Sequence, residues 1–207
     1  MKKILLGLAI GVFIFSMAGR VTATPVFEFT KNPNPFNINL GSWVFGQKFT
    51  VGNENIIIDS LGYFDDLGDG FIDDHEVGIF TEAGELLTST TVNSSDTFID
   101  HFRYSDIDDL ELFAGQQYRL VAVSWSDNYQ VGADYTVDPR IIDNGSAYYS
   151  GTTLGIGNNF KNTDNIWVAN FNIKDSSSVP EPSTMLLLGS GIAGLAGIRI
   201  RRKKHHQ

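Results

Sequence analysis

The sequence predicts an all-β fold, in the form of a sandwich or a barrel. Two observations indicate this fold class. No long helical period of apolar residues occurs between positions 24 and 178, and short apolar or alternating runs follow one another there, separated by clusters of Gly, Asn and Asp. Ten runs are predicted to be strands, at positions 26–29, 43–51, 56–64, 76–81, 86–92, 98–104, 110–113, 118–125, 147–149 and 166–173.

Two of these runs indicate how the strands pack. In 43–51 the apolar residues Trp43, Phe45, Phe49 and Val51 fall on one face, so this strand is expected to bury that face. The run 118–125 is apolar on most of both faces, which is typical of a strand in the centre of a sheet. Between 76–81 and 86–92, Gly84 predicts a hairpin turn.

The N-terminus has the pattern of a secretory signal peptide. Lys2 and Lys3 precede an apolar run at 4–18, and the small residues that a signal peptidase reads follow at 21–23. A signal peptidase is expected to cleave after Ala23, which removes residues 1–23. The alternative is an N-terminal anchor that is retained.

The C-terminus consists of three adjoining segments. The first is Val179, Pro180, Glu181 and Pro182, whose prolines fix φ and remove two backbone donors, which predicts an extended segment. The second is an apolar run at about 183–200, and its residues 185–200 would span about 24 Å as a helix, so a marginal transmembrane helix is predicted. The third is a basic cluster that keeps the C-terminus cytoplasmic and the body outside: Arg199, Arg201, Arg202, Lys203 and Lys204.

These three segments, in this order at the end of the chain, resemble the tail of the PEP-CTERM sorting proteins of bacteria. In that family an exosortase, a membrane-embedded cysteine protease or transpeptidase, recognises the tail, so the resemblance implies processing near Val179 to Pro182. It also implies an inner-membrane anchor before processing and a final place at the cell surface or in an extracellular matrix with exopolysaccharide. The alternative is an ordinary C-terminal anchor.

Composition excludes several classes of function. Between residues 24 and 178, seven Lys and Arg stand against twenty-three Asp and Glu, a net charge of about −16. Such an acidic body does not bind nucleic acid through its phosphates. The chain has no cysteine, which excludes disulfides, thiolate zinc sites and a cysteine nucleophile.

The body carries a second resemblance. The stretches 47–51, 61–65, 68–71, 75–80, 84–87 and 114–118, in this order, are similar to an uncharacterised β-rich domain that recurs ahead of PEP-CTERM tails. This resemblance implies a jelly-roll-like antiparallel β-sandwich with no established activity. The expected layout is the signal peptide, the sandwich at 24–174, a serine-rich linker at 175–178 and the sorting signal at 179–207.

One acidic stretch, 65–76, partly follows the EF-hand pattern. Asp65, Asp69, Gly70 and Glu76 fall at the required positions, but Leu67 stands where an oxygen ligand is needed, and the flanks are strand-like. An EF-hand is therefore rejected in favour of a β-hairpin loop that binds Ca²⁺ weakly. The candidate ligands are Asp65, Asp66, Asp69, Asp73, Asp74 and Glu76. The alternative is an acidic turn whose Asp and Gly residues serve backbone geometry.

The sequence offers little support for catalysis. His75 and His101 are the only histidines in the body, and neither a Gly-x-Ser-x-Gly elbow nor a His-Glu-x-x-His motif occurs. No catalytic residue and no obligatory cofactor is therefore assigned, and the protein is expected not to be an enzyme.

Trp125 and Tyr129 stand among Asn and Asp residues, a mixture that suits a platform for polysaccharide. The alternative is that such aromatic side chains cap the core.

The sequence thus predicts an exported surface or matrix protein with a structural or interaction role. The alternative is a carbohydrate- or Ca²⁺-binding module of the same fold.

Overall fold

The computed structural model describes residues 24–30, 42–156 and 166–174, and in these residues it is all-β. The strands are β1 (Thr24–Pro25), β2 (Phe27–Phe29), β3 (Trp43–Val51), β4 (Ile56–Phe64), β5 (His75–Thr81), β6 (Leu86–Val92), β7 (Thr97–Ile99), β8 (Phe102–Leu112), β9 (Gln117–Val123), β10 (Gln130–Val131), β11 (Tyr135–Val137), β12 (Ile141–Ser150), β13 (Ile166–Trp167) and β14 (Ala169–Ile173). Within the described ranges, no helix is long and apolar enough to span a membrane. The predicted signal peptide, linker and sorting signal lie outside the described residues.

Two five-stranded sheets form most of the structure. Sheet A has the strand order β1-β14-β4-β8-β7, and sheet B has the order β12-β3-β9-β5-β6. Two short ladders, β10 with β13 and β11 with β2, accompany them. Every strand pair in the described residues is antiparallel. The expectation of an antiparallel all-β fold is therefore confirmed.

The hydrophobic core draws its side chains from both sheets. Phe49 on β3 packs against Phe171 on β14, with ring centroids 5.0 Å apart. Leu61 of sheet A and Leu120 of sheet B belong to the same buried cluster. As the alternation in 43–51 predicts, Phe45, Phe49 and Val51 all face this cluster.

Strand β9 lies between β3 and β5 and is covered on both faces, as its sequence predicts. Leu120 faces the main core, whereas Val121 and Val123 face a second, smaller cluster on the outer side of sheet B. Leu154 and Ile156, from the segment that follows β12, pack against that second cluster. The segment therefore shields the outer face of the central strand.

The predicted strands 98–104 and 110–113 have other bounds in the structure, where β7 ends at Ile99 and β8 extends from Phe102 to Leu112. The backbone turns at Asp100 and His101, both with positive φ, so His101 lies in a turn and not in a strand as expected. From there β8 continues through the acidic stretch 105–109, between the two predicted runs, although its register with β4 shifts between Asp106 and Leu110. Asp106, Asp108 and Asp109 are accommodated because all three are exposed to solvent.

Strand β12 is also longer than the predicted run 147–149. Asn144 and Gly145 are residue types that often end a strand. Here β12 continues past them, and its register with β3 shifts between Asp143 and Ser146. Gly145 has a φ of 92°, a conformation that favours glycine. The turn residues thus mark a bulge and not the end of a strand.

Candidate functional site

Four connections between strands meet at one end of the sheets. They are 65–74, 93–96, 100–101 and 124–129. The first of them, the acidic loop, touches the other three: Phe71 N donates to Ser94 Oγ (2.7 Å), His101 Nδ1 lies 3.2 Å from the Asp66 carbonyl oxygen, and Ile72 N donates to Asp127 (3.0 Å). The candidate site is therefore a cluster of loops centred on 65–74.

The expectation that 65–74 forms a β-hairpin loop is wrong. Strand β4, before it, pairs with β14 and β8 in sheet A, whereas β5, after it, pairs with β6 and β9 in sheet B. The loop carries the chain from one sheet to the other. By contrast, β5 and β6 do pair across the turn at Gly84, whose φ is 93°, so the hairpin predicted there is confirmed.

A buried ion pair holds the first half of the acidic loop. Arg103 on β8 donates from Nε to Asp65 Oδ2 at 2.6 Å, and Asp65 is only 3% exposed. The Asp65 carboxylate also accepts hydrogen bonds from Gly68 N and Gly70 N, each at 3.0 Å. Three donors therefore satisfy this carboxylate within the protein itself.

The same guanidinium also binds the backbone of two loops. Nη2 donates to the Gly68 carbonyl oxygen (2.8 Å), and Nη1 donates to the Asp96 carbonyl oxygen (3.0 Å). Its carbon lies 5.5 Å from the centre of the Phe98 ring. A carboxylate and carbonyl oxygens are the ligand types that a hard cation takes, and here Arg103 binds them.

The structure brings together three of the six residues predicted to bind Ca²⁺. Asp65, Asp66 and Asp69 each offer an oxygen, and these oxygens lie within 4.8 Å of one another. Asp73, Asp74 and Glu76 lie farther along the chain, Glu76 on β5 itself, and do not belong to this group. A Ca²⁺ ion bound here would share Asp65 with Arg103.

The second half of the loop is organised around His75, the first residue of β5. Its side chain is fully buried and stacks on Tyr63, with ring centroids 3.5 Å apart and planes 1° from parallel. Phe71 meets the same ring edge-on at 4.9 Å. His75 thus lies between the aromatic residues of two different segments.

Both ring nitrogens of His75 face oxygen atoms. Nδ1 is 2.9 Å from the Val123 carbonyl oxygen, and Nε2 is 3.0 Å from Asp127 Oδ2. Only the doubly protonated ring donates to both oxygens. Burial nevertheless lowers the pKa of His75, although the Val123 carbonyl and the Asp127 carboxylate, with Asp73 farther away, act to raise it.

Asp127 is the anchor of this half of the loop. Its carboxylate accepts hydrogen bonds from Ile72 N and Asp73 N, both at 3.0 Å, in addition to its contact with His75. His75 has no exposed surface, so all its contacts are within the protein. The arrangement holds the loop 65–74 against the end of β9.

Sequence reasoning missed Arg103 and Asp127. Arg103 could have been recognised as a partner for a buried acid, because it is one of only seven basic residues in the body and stands in a run that is otherwise largely apolar. Nothing in the sequence distinguishes Asp127 from the other acidic residues of the body, which number twenty-three with it.

The two residues of the predicted polysaccharide platform lie in different environments. Tyr129 is 7% exposed and belongs to the core, with its ring centroid 4.5 Å from that of Phe45. Its ring face is therefore not available to a sugar, which corrects the expectation for this residue. Trp125 is half-buried against the outer cluster of sheet B and has a φ of 43°.

Residues Val179 to Pro182 and the basic cluster Arg199 to Lys204 lie outside the described residues, and here the comparison with known families is informative. Residues 178–203 match the family described as the PEP-CTERM protein-sorting motif. The predicted motif is thereby confirmed, and it supports an exported protein that is anchored in a membrane and processed by an exosortase. No curated protein and no solved structure matches the chain.

Proposed function

We propose that this chain is a bacterial cell-surface or extracellular-matrix protein whose β body has a structural or interaction role without catalysis. The observation that carries the proposal is the PEP-CTERM sorting motif at 178–203. A signal peptidase removes residues 1–23, the apolar segment at about 183–200 anchors the chain in the inner membrane, and an exosortase then cuts near Val179 to Pro182. The released body reaches the surface or an exopolysaccharide matrix.

The strand order supports a jelly roll for the body. Strands β1, β3, β4, β5, β6, β8, β9 and β14, taken in chain order as strands one to eight, form the sheets 1-8-3-6 and 2-7-4-5. This is the order of a double-sheet jelly roll with two Greek keys. Strands β7 and β12 add one strand at the edge of each sheet.

The features of the body suit such a role. The described loops around 65–74 are held by buried contacts within the protein, and the charge of about −16 between residues 24 and 178 favours solubility of the body. The second candidate function, a Ca²⁺-binding module, is favoured by the grouping of Asp65, Asp66 and Asp69. Carbohydrate binding, if it occurs, would rely on Trp125.

The test is the intact mass of the protein recovered from its native host. The wild-type chain is expected to lack residues 1–23 and everything beyond about Val179 to Pro182. A variant with Pro180→Ala and Pro182→Ala is expected to keep its tail, because the two prolines of the sorting motif are lost. Ser176→Ala with Ser177→Ala, just before the matched motif, is the control and is expected to be processed normally. A wild-type protein that retains Arg199 to Lys204 would instead be a membrane-anchored domain, and the proposal would fail.

A further inference from the structure

The described strands leave four sheet edges, two on each sheet. They are β1 and β7 on sheet A, and β12 and β6 on sheet B. An edge strand presents unpaired backbone N–H and C=O groups to any other strand, and proteins block such pairing with short strands, proline, charges or bulges. The four edges differ sharply in these devices.

Three of the edges are blocked. Strand β1 has two residues, one of which is Pro25. Strand β7 has three residues and is followed at once by the turn at Asp100 and His101. Strand β12 is longer but carries the irregularity between Asp143 and Ser146, which interrupts a regular ladder.

The fourth edge, β6, carries none of these devices along most of its length. Its seven residues are Leu86, Leu87, Thr88, Ser89, Thr90, Thr91 and Val92, without charge, proline or glycine. Its ladder with β5 is regular from Thr88 to Val92 and shifts only near Leu86. Within the ranges that the structure describes, β5 is the only strand that pairs with it.

The two faces of β6 are clearly distinguished. Val92 is buried in the core, and Thr90 Oγ1 lies 3.2 Å from Ser105 Oγ on β8, so these residues face the opposite sheet. Ser89 and Thr91 are exposed on the other face. A strand added beside β6 would therefore extend sheet B without displacing any core side chain.

We propose that β6 pairs antiparallel with β6 of a second copy of this chain, which joins two B sheets into one ten-stranded sheet. Full overlap of seven residues occurs in one register only, with Ser89 opposite Ser89 and Leu86 opposite Val92. This pairing closes under two-fold symmetry. Strand β6 is a neutral strip on a strongly acidic body, so two copies that meet along it bring the fewest like charges together, and the strand offers a charged partner no side chain of opposite charge.

The register is tested by cross-linking the full chain in its host. The protein has no cysteine, so a Ser89→Cys variant carries a single thiol. Directly opposite Cβ atoms in an antiparallel pair lie about 4.5–5.5 Å apart, close enough for a disulfide after a small shift. With an added oxidant, we expect a dimer on a non-reducing gel. The control is Ser150→Cys, an exposed position at the end of β12, which is expected to remain monomeric. Equal cross-linking of the two variants, or none at Ser89→Cys, overturns the proposal.

A matched pair of variants tests the role of charge. Ser89→Asp puts two like charges opposite each other across the symmetry axis, whereas Ser89→Asn has the same shape and no charge. We expect the Asn variant to keep the wild-type dimer and the Asp variant to be monomeric, with partial recovery at high salt. The measurement is the molar mass of the protein recovered from its host, with circular dichroism to verify the fold. A monomeric wild type, or a dimer that Ser89→Asp leaves unchanged, overturns the proposal.

Discussion

Arg103 on β8 neutralises Asp65 in the loop 65–74, where the sequence predicts a cation site. The two side chains meet at 2.6 Å, with 12% and 1% of their side-chain surface exposed, although 38 residues separate them. The guanidinium also binds the carbonyl oxygens of Gly68 and Asp96. An internal cation thus ties β8 to the loop 65–74, and several measurable consequences depend on it.

Removal of Arg103 is expected to destabilise the body strongly. Arg103→Met leaves the Asp65 carboxylate buried without a charge partner, and breaking a buried pair in this way costs about 3–5 kcal/mol. The loss should appear in the free energy of unfolding measured with urea. Lys174→Met, which removes an exposed pair with Asp109, is the control and should change little. Similar values for the two variants would show that the buried pair has no special role.

The buried histidine makes stability depend on pH. Burial lowers the pKa of His75 in the folded protein below its ordinary value of 6.5, so the unfolded chain binds a proton more readily there. Stability is therefore expected to fall as the pH drops below about 6.5 and toward the lower folded pKa. In His75→Gln, this part of the dependence should be absent, whereas the wild type loses stability between pH 7.5 and 5.5. A wild-type slope that persists in His75→Gln contradicts the prediction.

The acidic side chains act in a separate, lower range of pH. Hydrogen bonds from Arg119 lower the pKa of Glu82, and those from Arg140 lower the pKa of Asp138. Their contribution to stability is present above the unfolded pKa values of about 4 and is lost as the pH falls through the folded ones. The two ranges are thus distinguishable in a single pH series.

Calcium binding has a specific test at Asp69. A Ca²⁺-binding body, the second candidate function, predicts that millimolar Ca²⁺ raises the melting temperature of the wild type, because extracellular sites bind it at about 10⁻⁴ to 10⁻³ M. Asp69→Asn is expected to abolish the shift, since Asp69 is exposed and belongs to the three-residue group. Asp108→Asn, which removes one exposed charge on β8, is the control and should retain the shift. If both variants respond like the wild type, the effect is general screening of acidic charge.

The two aromatic residues are expected to respond differently to substitution. A polysaccharide platform at Trp125 predicts that Trp125→Ala reduces binding to exopolysaccharide, measured by co-sedimentation, without unfolding the body. Tyr129→Ala removes a ring from the core and is expected to cost about 3–5 kcal/mol in unfolding free energy. Tyr129→Phe keeps the ring and should remain close to the wild type. Undiminished binding by Trp125→Ala would exclude a platform at this residue.

Local sequence patterns predicted much of the fold. The bounds of β3, β4 and β6 agree with the runs 43–51, 56–64 and 86–92, because period-two alternation or β-branched residues mark each of them. Strand β8 was divided in two because Asp106 and its acidic neighbours read as a loop, although an exposed strand face tolerates such charges.

The candidate site was only partly visible in the sequence. The acidic residues of 65–74 could be recognised, but their partners come from distant positions: Arg103 from β8 and Asp127 from the connection after β9. Likewise, the burial of Tyr129 depends on Phe45, 84 residues earlier in the chain. Pairings of this kind follow from how the two sheets pack, and no local pattern encodes them.

The position of β14 has a consequence for export. Strand β14 lies between β1 and β4, so the first described strand pairs with the last, and Phe171 completes the core. A chain that crosses the membrane N-terminus first brings β1 across long before its partner. Sheet A therefore stays open until almost the whole body has been translocated, and a chain that stalls before residue 169 presents an unfinished sheet to the chaperones and proteases outside. The final fold is reached only when the sorting signal itself is arriving.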